Sequence, residues 1–270
     1  MKIVFLTNKS ARGANILRGM KSRNISVEAV FIDVQRPTGL QAKLKKLKRL
    51  GLVGALRIIS RRVRTILAPM ELKMISRRMQ RKLAPGTAEE WFSDDFYRAY
   101  SDRVYIVDDF NGQECEQLLK EIEPDVIILG GSRIIRKSII NIPKIGILNA
   151  HPGLLPKYRG VDVIPWAIYH GDPVGVTVHF VDEGVDTGGV VARKVIDVTE
   201  GDTIASLGKK ADVLAGELMA ETVLRIIEGE HVQTVPQSRE DGKQYYRMPP
   251  KLLRETVRKL GGMESRRDDI

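Results

Sequence analysis

Apolar residues fall along this 270-residue chain in short unbroken runs separated by stretches of helical spacing. Ile3–Thr7 (IVFLT) is one such run, closed by the polar turn Asn8–Gly13. That is the pattern of a parallel strand buried on both faces. A helix is predicted from there to about Met20, then a second strand at Val27–Ile32, ended by Pro37, Thr38 and Gly39. The rhythm resumes at Val104–Val107 with a short strand, a helix from about Gly112 to Glu123, and a strand Asp125–Leu129 that enters Gly130-Gly131. A short helix Ile134–Ile140 and a strand Ile145–Asn149 follow, the latter opening into a long loop, His151–Gly160. Asp162–Tyr169 reads as helix. Val174–Val181 alternates as a half-exposed strand and pairs with Val190–Val198 across Asp182–Gly189. Ala205–Glu228 is a long amphipathic helix, Tyr245, Pro249 and Pro250 mark a short ordered tail, and Glu264–Ile270 is expected to fray. Strand–helix alternation with apolar strands predicts an α/β protein with a doubly wound, mostly parallel sheet.

Residues 40–82 break this rhythm. Leu44, Leu47, Val53, Leu56, Ile59, Val63, Ile66 and Met70 recur mostly at three or four residues, with Lys and Arg between them. This predicts a basic amphipathic helical insertion at about 40–100, divided near Pro69. The domain plan is then a catalytic domain over 1–200 carrying that insertion, and a C-terminal helix and tail over 201–270 packed on the core.

Charge sharpens the picture. The chain is +10 at neutral pH, yet residues 43–82 alone hold 14 Lys or Arg against one acid, Glu71, a local net of +13, so the remainder is −3. A local basic block points to an added element with its own contact, not to a uniformly nucleic-acid-binding surface. Such a segment could cover the core, lie on an anionic membrane, or neutralise RNA phosphates, in that order of preference. It has no aromatic residue to stack on bases. A single cysteine, Cys115, excludes an intrachain disulfide framework. No run approaches a membrane span, and the N-terminal apolar run is too short for a signal peptide. A cytoplasmic protein is expected, with the basic segment able to hold it at a membrane surface.

Ligands in doubly wound sheets bind at the carboxyl ends of the strands. Asn8–Gly13, Gly130–Arg133 and Asn149–Gly160 lie there, and the turn Asp182–Gly189 can reach the same cleft. Asn149 and His151 are two residues apart, so an extended chain points both the same way, and Pro152 keeps His151 out of the helical region. Two N–H donors aimed at one carbonyl oxygen stabilise an oxyanion. Asp186, between Gly184 and Gly188, could raise the His151 pKa and accept a proton from a nucleophile. Singly, each residue reads as readily as a turn former or loop residue. No Cys/His/carboxylate spacing suggests a metal site. His179 lies mid-strand and reads as a residue supporting its neighbours.

Two longer stretches carry a resemblance. Leu148–Gly160 (LNAHPGLLPKYRG) resembles the signature of the folate-dependent formyltransferase family, and Gly175–Gly188 (GVTVHFVDEGVDTG) resembles that family's second signature. Gly130–Ile135 is similar to its pterin-binding loop. The resemblance covers roughly residues 100–200. It implies a Rossmann-like formyltransferase fold and transfer of a formyl group from 10-formyltetrahydrofolate, as co-substrate, to a primary amine. Asn149, His151 and Asp186 match the family's catalytic triad, with His151 charged and kept so by Asp186. Arg133, Ile134 and Ile135, with Asp182 and Gly184, match its folate-binding positions.

The acceptor expected is a small-molecule amine, such as an amino-sugar nucleotide. Alternatives are glycinamide ribonucleotide, whose family enzymes bind phosphate with a loop that Asn8–Asn15 matches in part through Ser10 and Gly13, and methionyl-tRNA. The roughly 70 residues after the hairpin are too few for the C-terminal barrel of methionyl-tRNA enzymes. A reading of another class is a folate-, membrane- or nucleic-acid-binding module that has lost turnover. The full Asn149/His151/Asp186 set argues against it.

Overall fold

The computed structural model describes residues 1–33, 93–230, 232–238 and 240–262. The strands are β1 (Ile3–Thr7), β2 (Ala29–Asp33), β3 (Val104–Val107), β4 (Val126–Leu129), β5 (Gly146–His151), β6 (Tyr158–Gly160), β7 (Val174–Phe180), β8 (Val190–Ile196) and β9 (Lys243–Tyr245). Seven form one sheet in the order β3-β2-β1-β4-β5-β7-β8, and β6 pairs with β9 in a small second sheet. Pairing is parallel from β3 through β5 and antiparallel at β5–β7 and β7–β8. The result is an α/β, mostly parallel sheet, as the strand–helix alternation predicts.

Alternation of side chains decides which helix covers which face. Along β1, Ile3 and Phe5 join one buried cluster and Val4 and Leu6 the other. The first face is covered by helix α1 (Ala11–Ser22), through Ile16, Leu17 and Met20. The second is covered by α3 (Gln113–Ile122), through Cys115, Leu119 and Ile122, and by Ile139 of the short α4 (Lys137–Ile140). Between α1 and α3 in sequence comes α2 (Asp94–Arg98), whose Tyr97 is fully buried in the first cluster. After α4 come α5 (Val163–His170), α6 (Ile204–Ile227) and α7 (Pro250–Gly262). Leu207, Ala211, Ala215, Met219 and Val223 of α6 complete the first face beside α1.

The chain divides into two compact units, Met1–Val34 with Asp94–Ile270, and Gln35–Ser93. All of the second unit but Ser93 lies outside the described residues, so the basic helical insertion expected over 40–82 does too. Residues 94–98, assigned to that insertion from sequence, instead belong to the first unit. So does α6, which lies on the sheet itself and is no appendage.

Three local readings change. β7 is buried along nearly its whole length, because the loop Gly153–Leu155 covers its second face against Gly175 and Thr177, and the half-exposed strand is β8. The helix expected at 134–140 shrinks to α4. The backbone N–H of Arg136 donates to Asn111 Oδ1 (2.7 Å), which pins that residue in extended geometry until Lys137. The tail forms a strand and a 13-residue helix. Pro249-Pro250 looks like a helix stop, but Pro250 begins α7, where no backbone N–H is needed.

Helices α1 and α6 touch through glycine. A Cβ on Gly216 would lie 2.4 Å from the Asn15 carbonyl oxygen, and one on Gly19 would lie 2.5 Å from that of Gly216. Gly208, on the same helix, faces open space. Gly216→Ala should therefore lower the unfolding free energy by about 1–3 kcal/mol through overpacking. Gly208→Ala should raise it by about 0.5–1 kcal/mol through helix propensity. Urea unfolding of the two variants tests the pair of signs; a loss of equal size in both would contradict the contact.

Candidate active site

A cavity of about 620 Å³ opens at the carboxyl ends of β4 and β5. Asn149 and His151 project into it from β5, His179 from the adjacent β7, and Asp186 from the β7–β8 turn. Leu148 and Ala150, the alternate residues of β5, point into the core. The period-two expectation for Asn149 and His151 is thus met in the backbone.

Each nitrogen of the two imidazoles has a defined partner. His151 Nε2 lies 2.8 Å from the Tyr158 carbonyl oxygen, which can only accept, so Nε2 carries a proton. His151 Nδ1 lies 3.4 Å from Asp186 Oδ2, longer than an ordinary hydrogen bond. His179 Nδ1 donates to the Phe180 carbonyl (2.7 Å), which leaves Nε2 to accept from the Asn149 amide at 3.2 Å. One Asn149 N–H is thereby fixed on His179, and its second is left for the cavity. Glycine makes room for the His151 contact: a Cβ on Gly153 would stand 2.8 Å from His151 Nε2 and 2.9 Å from the Tyr158 oxygen.

Asp186 is held in the left-handed region, φ +54°. For a residue other than glycine that conformation costs roughly 1–2 kcal/mol. Its Oδ2 accepts from the Gly160 N–H (2.8 Å), and its own carbonyl accepts from Gln237 Nε2 (3.2 Å), which also donates to the Gly188 carbonyl (2.5 Å). Gln237 therefore braces the turn from outside. Nothing in the sequence near the motifs marks it, because its partners are backbone carbonyls about 50 residues away.

Burial dominates the electrostatics. It pushes the His151 imidazole down to about 4 despite the Asp186 carboxylate, so the histidine is neutral near neutral pH. The expectation that Asp186 keeps His151 charged is corrected: the ring is 3% exposed, and desolvation outweighs a carboxylate 3.4 Å away. Burial also pushes Asp186 up, but the facing His179 and His151 rings and the Gly160 N–H outweigh it and hold the carboxyl at about 2. The Gly160 hydrogen bond favours the carboxylate whether or not His151 is protonated.

The expected folate positions divide. Gly131–Ile135, Asp182 and Gly184 all line the cavity. Ile134 is 70% exposed there, a free apolar face, whereas Ile135 is 4% exposed with its side chain in the second core cluster. Asn111 takes the Ile134 carbonyl (3.0 Å) as well as the Arg136 N–H. Arg133 Nε lies 3.4 Å from Asp33 Oδ2. The Asp182 carboxylate is used inside its own turn, accepting from the Gly184 N–H (3.0 Å) and Thr187 Oγ1 (2.6 Å).

Ser10 and Gly13 do not reach the cavity wall. Ser10 caps α1, accepting from the Gly13 N–H (3.0 Å) and donating to the Gly130 carbonyl (2.7 Å). A Cβ on Gly13 would meet that carbonyl at 2.4 Å, so the residue serves close packing. The anion-binding role expected of the pair is not available in this geometry, because the hydroxyl and the N–H serve each other. Arg12, between them, does line the cavity, as does Arg247 of the tail; sequence reading passed over both. The Cys115 thiol is buried and pushed up to about 12, outside any site chemistry. Among the described residues, no group of three His, Cys, Asp or Glu could hold a metal, and no helix is long and apolar enough to cross a membrane.

A neutral, buried His151 sets a pH dependence. Its folded pKa lies below the ordinary value of 6.5, so folding favours the neutral ring. Stability is complete above 6.5 and is lost as the pH falls toward 4. Between about pH 7.5 and about pH 5 the wild type should lose about 2 kcal/mol more unfolding free energy than His151→Asn. Urea titrations at the two pH values measure the difference, and equal losses would refute a neutral His151.

The profile of the family described as "Formyl transferase" matches residues 81–236. Among curated proteins, the methionyl-tRNA formyltransferase of Caldanaerobacter subterraneus subsp. tengcongensis is 35% identical over 138 residues, 50% of this chain and 44% of that protein. The methionyl-tRNA formyltransferase of Koribacter versatilis is 40% identical over 130 residues, 47% of this chain and 41% of that protein. The chain spans less than half the length of these relatives. Among solved structures, glycinamide ribonucleotide transformylase 1 from Symbiobacterium toebii matches with a TM-score of 0.57 at 21% identity, covering 88% of this chain and 94% of that one, a likeness of fold. With the profile running through both β5 and the β7–β8 turn, over more than half its length, the chain belongs to the formyl transferase family.

Proposed function

We propose that the protein transfers a formyl group from 10-formyltetrahydrofolate to the primary amine of a small acceptor. The observation that carries this is the convergence of an amide donor, Asn149, a buried imidazole, His151, and a carboxylate, Asp186, on one cavity. Family membership supports the reaction class. The folate supplies a formyl group on a nitrogen that can leave. The residues present fit such a donor: an exposed Ile134 offers a face to a flat ring, and the strand-end loops at 131–135 and 181–186 offer backbone polar groups to its edge.

In this reading the acceptor nitrogen bonds to the formyl carbon, and the free Asn149 N–H donates to the oxygen that gains charge. His151 Nδ1, unprotonated in the neutral ring and facing Asp186, takes the proton that the attacking amine loses. The ring becomes an imidazolium next to the new oxyanion, its two N–H groups toward Tyr158 and Asp186. The ionised Asp186 stabilises that cation. When the bond from carbon to the folate nitrogen breaks, the same proton passes to the leaving nitrogen, and the site returns to neutral His151. Holding amine and formyl carbon together supplies much of the remaining acceleration.

A small acceptor is favoured because the first turn of α5, the start of α6 and the tail line the same cavity as the expected folate loops and bound its volume to about 620 Å³. Methionyl-tRNA is the second reading, favoured by the names and 35–40% identities of the curated relatives.

Formylated product should be detected by mass with one member of a panel of amino-sugar nucleotides, glycinamide ribonucleotide and methionyl-tRNA. Asn149→Ala and Asp186→Asn should each lower kcat about 10²–10³-fold. Full turnover by Asp186→Asn would overturn the mechanism, and absence of product with every acceptor would overturn the function. Gln237→Leu, which keeps volume and removes the brace, should lower kcat about 10- to 100-fold by misplacing Asp186. Its KM for the folate should hold, and steady-state kinetics separates the two.

A further inference from the structure

Three arginines line the cavity, Arg12, Arg133 and Arg247. Two are engaged by carboxylates: Arg12 Nε with Asp212 (3.0 Å) and Arg133 Nε with Asp33 (3.4 Å). The wall's own carboxylates are engaged as well. Asp162 accepts from the Met248 N–H (2.9 Å), Asp182 from its own turn, and Asp186 from Gly160. Among the described residues, no carboxylate pairs with Arg247, and its side chain is exposed. An exposed arginine on a loose tail would carry no argument, but this tail is built.

Strand β9 pairs with β6 in the register Gly160↔Tyr245, and the Val161 N–H donates to the Tyr245 carbonyl (3.1 Å). Gly160, at φ +96°, allows the approach: a Cβ there would meet the Tyr245 oxygen at 2.2 Å. The Tyr245 ring stacks on Tyr158 at 5.2 Å. Arg247 is then flanked by two anchors, the Tyr246 carbonyl held by Trp166 Nε1 (2.8 Å) and the Met248 N–H held by Asp162. The backbone on either side is fixed, and Arg247 between them lines the cavity with an exposed side chain. The usual oxyanion partner in such a fold, a strand-to-helix turn, is closed here by the Ser10–Gly13 bond.

We infer that Arg247 binds an oxyanion, phosphate or carboxylate, carried by the amine acceptor, and that the C-terminal tail is the acceptor-reading wall of the cavity. The inference rests on the formyl-transfer reading. It concerns residues beyond 236, where the family profile ends. A guanidinium fork suits bidentate contact with either oxyanion. The donor folate also carries carboxylates, on its glutamate, so the two sources must be told apart. Arg247 is anchored beside α5, through Trp166 on the Tyr246 carbonyl and Asp162 on the Met248 N–H, while the expected folate positions lie on the β4–α4 loop and the β7–β8 turn.

Calorimetric titration of the full chain with inorganic pyrophosphate, and separately with tetrahydrofolate, tests this on the wild type, Arg247→Ala and Arg247→Lys. Loss of a charge-assisted contact should weaken pyrophosphate about 10- to 100-fold in Arg247→Ala, with partial retention in Arg247→Lys. Tetrahydrofolate affinity should stay unchanged, and saturating tetrahydrofolate should not displace pyrophosphate. Equal pyrophosphate affinity in wild type and Arg247→Ala, or no pyrophosphate binding, overturns the inference. Competition between the two ligands, with tetrahydrofolate weakened by Arg247→Ala, overturns it by assigning the arginine to the donor. Failure of wild-type protein to bind tetrahydrofolate would strike the formyl-transfer reading, while the pyrophosphate arm still judges the arginine.

Discussion

The site depends on one strained residue being held in place. Asp186 occupies a left-handed backbone conformation that a non-glycine residue adopts only when its surroundings compensate. The Gly160 N–H on its carboxylate and the Gln237 amide on its carbonyl supply that compensation. Through these bonds the β7–β8 turn is tied to β6 and to the chain after α6. β6 in turn is tied to β9, so Gly160 serves both: its N–H positions the carboxylate and its missing side chain admits the tail. The Asp186 carboxylate and the tail share a single glycine.

The second constraint is desolvation. An imidazole with one nitrogen on a carbonyl and the other near a carboxylate would be expected to hold a second proton. Burial reverses that expectation and leaves His151 neutral, poised to take a proton at Nδ1. In the proposed mechanism, the carboxylate that fails to charge the buried histidine stabilises it once a proton arrives. His179 takes no proton in this scheme; it fixes the Asn149 amide, which makes its place in the motif structural support for a donor.

Several features could be read directly from the chain. β1 and β3 fall at the residues their apolar runs predict, and α3, α5, α6 and β5 lie within two residues of theirs. Burial on both faces leaves unbroken apolar runs in a strand, and a helix's spacing survives in any context. Asn149 and His151 were legible as a pair because strand periodicity is local. Other features were not. The half-exposed pattern of β7 gave the wrong burial because the loop Gly153–Leu155, not solvent, covers its second face. Ser10 and Gly13 fit an anion loop by composition, but the Gly130 carbonyl approaches closely enough to engage them in packing.

What the sequence alone determined was the alternation of strands and helices, the family signatures and the pairing of Asn149 with His151 on one face of β5, because each rests on spacing within a few residues. Only the tertiary structure decided the protonation of His151, the brace from Gln237 and the arrival of Arg247 at the cavity. Those depend on groups separated by tens of residues: desolvation has no local signature, and a backbone carbonyl that accepts a distant amide looks like any other in the chain.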